Sequence, residues 1–459
     1  MGADRSRLPD VGADPAFTFP TIVRHALPNG LAVRTVEHHS VPIITFALQI
    51  EGGSGADPSD REGLAAVTAD MIDEGTGSMS AIDVSDALAR IGGDYDVDVG
   101  ADATVFTLTT LSRFAERGAS LFADLIAKPS LRDEDFVRIR QLRLDRLKQL
   151  KDSAPATAER AFLRLVYGSH PYGHLPIGAD AALRQLSLDE VRAFHARRFH
   201  PSRATLVVVG AMSHTELLET ARRFDAWDGH AGGSAQQSGP PASQIEPPSR
   251  PSERLAIVPR DGAAQSELRI GHLAVQRTTP DYPSLVVMNA VLGGQFVSRI
   301  NLKLREEKAF TYGARTGFDW HRGRSPFVLQ ASVHTASTAE SIADSLAEID
   351  AIRGMRPPTD AELALSKASL TRGYPRNFET TQQVARSVAQ LALYDLPDRY
   401  FADFVPTINA VRGEDVTRAA ERYLDPSNLA TLIVGDHSAI ADSLGALALG
   451  EPRVLPVEL

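Results

Sequence analysis

The sequence predicts an α+β protein made of two homologous domains, each an antiparallel sheet with helices packed on one face, joined by a flexible linker. Three observations lead there. Strand-like and helix-like segments are mixed along the 459 residues without strict alternation. One central tract is too poor in apolar residues to build a core. The residue pattern before that tract recurs after it.

The elements follow in chain order. Met1 to Pro20 is polar, with several Asp, Arg and Pro and no apolar h-region. It reads as a disordered arm, or as the start left after removal of a signal peptide. Val33 to Val36, Ile43 to Ile50 and Thr104 to Leu111 have strand character. Between them, Gly63 to Thr76 reads as a short amphipathic helix with Leu64, Val67 and Met71 at i, i+3 and i+7. Leu131 to Leu150 and Thr157 to Val166 have helical spacing. Asp228 to Ser252 is rich in Gly, Pro and Ser and cannot bury enough surface to order itself, which marks a linker over 228–252.

The halves on either side match. Asp189-Glu190-Val191, a His-Pro-Ser turn at 200–202 and the buried strand Thr205 to Gly210 are repeated as Glu414-Asp415-Val416, an Asp-Pro-Ser turn at 425–427 and Ala430 to Gly435. The offset is 225 residues throughout, from Asp189 to Glu414 and from Gly210 to Gly435. A fixed offset on both sides of a linker points to duplication. The domains then run over 19–227 and 253–445. The second opens with a strand at Glu267 to Val275 and has helices at Thr338 to Ile352 and Thr380 to Leu393.

Composition narrows the function. The net charge of −10 argues against a nucleic-acid partner, and no apolar run is long enough to span a bilayer. The chain has no cysteine, which excludes disulfides, thiolate metal sites and cysteine nucleophiles. Neither a phosphate loop of the Gly-x-x-x-x-Gly-Lys type nor a Gly-x-Ser-x-Gly elbow is present. The histidines at 38, 39, 170, 174, 195 and 200 read as loop, surface or capping residues. Asp94, Asp96 and Asp98 fall on one side of a strand, with Asp102 beyond, and read as a charged edge strand. A calcium site there would need turn geometry that a strand does not supply.

Two segments carry the chemistry. In Leu304-Arg-Glu-Glu-Lys-Ala-Phe-Thr-Tyr-Gly313, Arg305 ends a helix whose apolar stripe includes Phe296, Ile300 and Leu304. Tyr312 begins a strand in which Tyr312, Ala314, Thr316 and Phe318 alternate, so a turn can bring Arg305 and Tyr312 to one cleft. The frame from Gly293-Gly294 to Gly313 closely resembles the Arg/Tyr segment of the pitrilysin/insulinase metallopeptidases. In that family the pair donates hydrogen bonds to substrate carbonyl oxygens, where a tetrahedral intermediate gathers negative charge. The helix at Gly63 to Thr76 resembles the one that carries the family's inverted zinc motif, His-x-x-Glu-His. Its three functional positions fall on Ala66, Ala69 and Asp70. Two methyl groups cannot bind zinc or activate water. The family's third ligand, a glutamate some seventy-odd residues on, has no counterpart in Arg143 to Leu150, and Asp70 with Asp145 would not complete a three-ligand site.

The resemblance implies a non-catalytic subunit of a heteromeric zinc peptidase, just as the mitochondrial processing peptidase is built from unlike subunits. No cofactor is then expected in this chain. Zinc is expected in a homologous partner carrying His-x-x-Glu-His, and the substrate would be a peptide. The alternative is a structural or peptide-holding scaffold of the same fold with no part in catalysis. A self-sufficient hydrolase with a new site is the remaining possibility.

Overall fold

The computed structural model describes residues 17–228 and 240–456. Two six-stranded sheets organise the molecule. The first runs, edge to edge, Ile22–Ala26, Ala32–Glu37, Ala204–Gly210, Ile43–Glu51, Ala103–Leu111, Asp94–Val99. The second runs Arg453–Val454, Leu255–Pro259, Ala430–Gly435, Gln265–Leu273, Pro326–His334, Thr311–Phe318. Position by position the two orders correspond, as duplication requires. The edge strand that bears Tyr312 is the counterpart of the one that bears the aspartates. The strand at the opposite edge differs. In the first half it is a hairpin partner of Ala32–Glu37, and in the second it comes from the C-terminal segment.

The α+β expectation holds, with two refinements. The sheets are mainly antiparallel, but Ala204–Gly210 lies parallel to Ala32–Glu37, and Ala430–Gly435 parallel to Leu255–Pro259. Each late strand returns after a long helical excursion, which removes the need for a hairpin reversal. Each sheet is also covered on both faces. Leu206 and Val208 point into the first half's own core with Phe46, Phe106 and Phe122. Val207 and Val209 pack instead on Val384, Ala385 and Val388 of the second half's helix Thr381–Leu393. Reciprocally, Ala256, Val258, Leu432 and Val434 pack on Phe162, Leu165 and Val166 of the first half's helix Ala154–Tyr167. Burial on both faces is why these strands read as unbroken apolar runs rather than alternating ones.

Polar contacts tie the halves further. Arg24 grips Asp398 with Nε at 2.9 Å and Nη2 at 2.7 Å. The hydroxyls of Thr45 and Thr381 lie 2.8 Å apart. Of the tract 228–252, residues 229–239 lie outside the described residues. From Pro240 the chain is tied down: Ile245 O contacts His170 Nε2 at 3.0 Å, and Ser252 N donates to Leu165 O at 3.2 Å. Residues 1–16 of the N-terminal arm also lie outside the described residues, whereas Phe17 stacks on Phe378 and Phe19 meets it edge to face. Among the described residues no helix is long and apolar enough to cross a membrane.

Candidate active-site half

Helix Leu64–Asp70 is almost wholly interior. Its N-terminal amides are satisfied from a distance: the Asp57 carboxylate accepts from Gly63 N and Ala65 N, both at 2.7 Å, and faces His174 Nε2 at 3.1 Å. Burial raises the Asp57 pKa, while His174 and the two amides pull it the other way. Ala66 and Ala69, which the resemblance sets at a histidine and the glutamate of the motif, are 1% and 0% exposed, so both methyl groups are closed in by packing. Asp70 faces a cation. Arg143 Nε, on helix Asp133–Lys151, donates to its Oδ2 at 2.7 Å. Asp145 lies elsewhere on that helix, with Gln141 and Lys148. Among the described residues no group of three His, Asp or Glu side chains could hold a metal ion. Methyl groups and an arginine-paired carboxylate do not fit zinc.

The Arg305 segment is built differently. Arg299–Asn301 starts as an α-helix and widens to a π-helix over Leu302–Glu307, a form often found at functional sites. Ala309, at φ 53°, turns the chain into strand Thr311–Phe318. Asn301 binds helix and strand together: its Nδ2 donates to Phe296 O at 2.6 Å and its Oδ1 accepts from Ala314 N at 3.0 Å. The Gly293-Gly294 pair has a packing reason, since a Cβ on Gly293 would come within 2.5 Å of Thr316 Oγ1 and 2.8 Å of its backbone N.

Strict alternation would put Tyr312 on the same face as Ala314 and Thr316. It does not lie there. Thr311 pairs with Val333 and Ala314 with Ala331, so one extra residue is inserted between them. This β-bulge turns Tyr312 outward to 88% exposure, and the Thr311 hydroxyl stitches it closed through Gly313 N and Ser332 O. Phe296 departs from expectation too. It precedes the helix, is 62% exposed and leaves Ile300 and Leu304 to form the buried stripe. The Arg305 guanidinium lies over its ring, 4.2 Å from the centroid, with Glu306 at 3.5 Å. Phe296 and Tyr312 line one open cleft of about 530 Å³, floored by Glu267 and Arg269. The cleft thus offers an aromatic wall and a phenol O–H with no hydrogen-bond partner among the described residues, while Arg305 is not among its lining residues and adjoins it only through the Phe296 ring.

Residues 32–176 match the insulinase (peptidase family M16) domain, and residues 185–370 match the peptidase M16 inactive domain. The chain belongs to the M16 peptidase family. Similar proteins include an uncharacterised zinc protease of Mycobacterium tuberculosis, 23% identical over 93% of this chain and 96% of the relative. The zinc protease PqqE of Helicobacter pylori is 21% identical over 89% and 91%. Among solved structures, an M16 inactive domain from Pseudomonas fluorescens superposes with a TM-score of 0.82 at 23% identity, covering 91% of this chain and 98% of that one. A protease from H. pylori gives 0.83 at 20%, covering 91% and 100%.

Elsewhere in this M16 chain the histidines serve structure. His170 Nδ1 accepts from Tyr172 N at 3.0 Å, and His200 Nδ1 from Ser202 N at 3.3 Å. His195, expected as a surface or capping residue, is buried, with Nε2 at 3.0 Å from Ile126 O. The aspartate strand is an edge strand, as its charge pattern suggests. Two members of the row engage the second half's helix: Asp94 accepts from Gln382 at 3.0 Å, and Asp96 pairs with Arg386 at 3.1 Å. Asp102 stands apart. Its side chain is largely enclosed, takes the Tyr172 hydroxyl and accepts from Arg322 N at 2.8 Å.

Proposed function

We propose that this chain is the non-catalytic member of a two-chain M16 zinc peptidase. It supplies Arg305 and Tyr312 to the zinc site of a homologous subunit bearing His-x-x-Glu-His. One contrast carries the reading. The helix matching the metal motif is closed by packing and holds an Asp70–Arg143 ion pair, while a bulge presents Tyr312 to solvent at an open cleft. Zinc in the partner would supply Lewis acidity and an activated water. The peptide carbonyl oxygen gains negative charge as it becomes tetrahedral, and the Tyr312 O–H and Arg305 N–H groups donate to it. The Phe296 ring under the guanidinium limits its rotamers, so less entropy is lost when it engages substrate.

The test is reconstitution with a zinc-bearing homologous chain. Alone, this chain is expected to hold no stoichiometric zinc and to cleave no peptide. In the complex, Tyr312→Phe or Arg305→Ala should each lower kcat/KM on the order of 10²–10³ with assembly intact. One tightly bound zinc per isolated chain, or unchanged turnover in both variants, would refute the proposal. The scaffold reading draws on Arg305 having local partners in Phe296 and Glu306, and it predicts that unchanged turnover.

A further inference from the structure

A second cavity, of about 380 Å³, opens between the halves. Its walls are the loop after Glu51, the end of helix Leu188–Arg198, the turn Pro201–Arg203, the connector from Pro240 to Ile245, and Arg322 of the second half. Four arginines line it: Arg197, Arg198, Arg203 and Arg322. Arg322 is 3.5 Å from Glu51. The other three have no carboxylate within ion-pair distance and no side-chain hydrogen bond among the described residues. Arg198 is the most enclosed of them. Its Nε is fully buried without a partner, and its guanidinium lies so close over Gly52 that a Cβ there would come within 3.3 Å of Nη1. Burial pushes the Arg198 pKa down, Arg203 and Arg197 push it the same way, and Asp57 and Glu51 oppose them. A partly desolvated guanidinium beside like charges, with no carboxylate at ion-pair distance, is unfavourable unless something anionic completes it.

The duplication provides an internal control. At the offset of 225 residues, Arg197, Arg198 and Arg203 become Arg422, Tyr423 and Asn428. There each side chain has a partner within the chain, although Asn428 Oδ1 is buried without one. Arg422 Nη1 is 3.1 Å from Asp281, the Tyr423 hydroxyl donates to Asp281 at 2.7 Å, and Asn428 Nδ2 donates to Ser249 O at 3.0 Å. The shared fold does not require all three arginines. Arg197 recurs as Arg422, but only the first half has arginine at the other two positions. Although Glu51, Asp57 and Asp102 also line the cavity, none of them forms an ion pair with Arg197, Arg198 or Arg203 among the described residues.

We propose that this cavity binds a phosphorylated small molecule, with Arg198 as the enclosed anchor and Arg197 and Arg203 closing on the phosphate. Guanidinium forks match phosphate oxygens, and three of them suit a group with more than one negative charge, whereas one bidentate arginine already satisfies a carboxylate. The volume lies within the range of small-molecule sites, about 300–1,000 Å³. Pro240, Pro241 and Ile245 give the organic part an apolar wall. The proposal rests on no part of the peptidase reading.

The test is calorimetric titration of the full chain with pyrophosphate, ATP and citrate at constant ionic strength. Saturable binding of pyrophosphate or ATP at one per chain is expected, weakened at least tenfold by Arg198→Tyr and by Arg203→Asn. These variants carry the residues that the second half already accommodates. If Arg198→Tyr does not fold, as judged by circular dichroism, Arg203→Asn decides alone. No saturable binding of either phosphate probe overturns the proposal, as does affinity unchanged in the folded variants, or citrate binding as tightly as pyrophosphate.

Discussion

Asp73, three residues beyond helix Leu64–Asp70, shows how a single side chain records its surroundings. Burial raises its pKa to about 6, helped by the nearby charges of Glu74 and Asp70 and opposed by Arg138. Its ordinary value is 3.8, so the folded chain binds this proton more tightly than the unfolded one. The resulting stability is fully present below about pH 4 and is lost as pH rises through about 6. A shift of roughly two units corresponds to about 3 kcal/mol at most. Asp73→Asn should therefore stabilise the protein by about 1–3 kcal/mol at neutral pH, with the gain vanishing near pH 4. Urea unfolding of both proteins across that range checks it; a gain independent of pH would show that Asp73 titrates as in an unfolded chain. Arg143 makes the same point about residue-scale reading. It is one of many arginines in the sequence, and only its 2.7 Å contact with Asp70 makes it informative.

At the scale of elements, the helix carrying Arg305 depends on its first residue. Arg299 is buried and reaches Glu362 through Nε at 2.6 Å and Nη2 at 2.8 Å, and also donates to Arg356 O and Pro357 O. Glu362 in turn closes the capping box of helix Asp360–Arg372 with Thr359. The Arg299 hydrogen bonds hold the Glu362 pKa down at about 2, against an ordinary 4.5. The sign is opposite to that of Asp73. This stability is present above about pH 4.5 and is lost as pH falls towards 2. Because a third of the Glu362 side chain is exposed, we expect about 1–2 kcal/mol from the interaction rather than the full shift. Glu362→Gln should lose that amount at neutral pH and should lack the corresponding acid slope. Denaturant unfolding at neutral and acid pH measures both, and equal stability at neutral pH would show that the two backbone carbonyls alone hold Arg299.

At the scale of the whole molecule, the two helices exchanged between halves matter most. Ala154–Tyr167 and Thr381–Leu393 each cover the far face of the other half's sheet with apolar side chains. Separated halves would expose those faces to water, at about 25 cal/mol per Å² of apolar surface. Cutting the chain within 229–239, at an introduced protease site, should therefore leave one particle on gel filtration with a single cooperative unfolding transition. Two fragments eluting separately would show that the linker, not the packing, holds the halves together.

Much of this organisation was legible in the residues themselves. The repeat of Asp189 to Gly210 in Glu414 to Gly435 and the strands and long helices lie in contiguous stretches, where period and residue type carry the information. The tertiary structure alone decided the rest. The outward turn of Tyr312 comes from an inserted residue in the pairing with Pro326–His334, and register belongs to two strands, not one. The cover on the second face of each sheet comes from a helix in the other half. The Asp70–Arg143 pair and the unmatched arginines around Arg198 depend on which charges chain folding brings within a few ångströms, and no local periodicity encodes that distance.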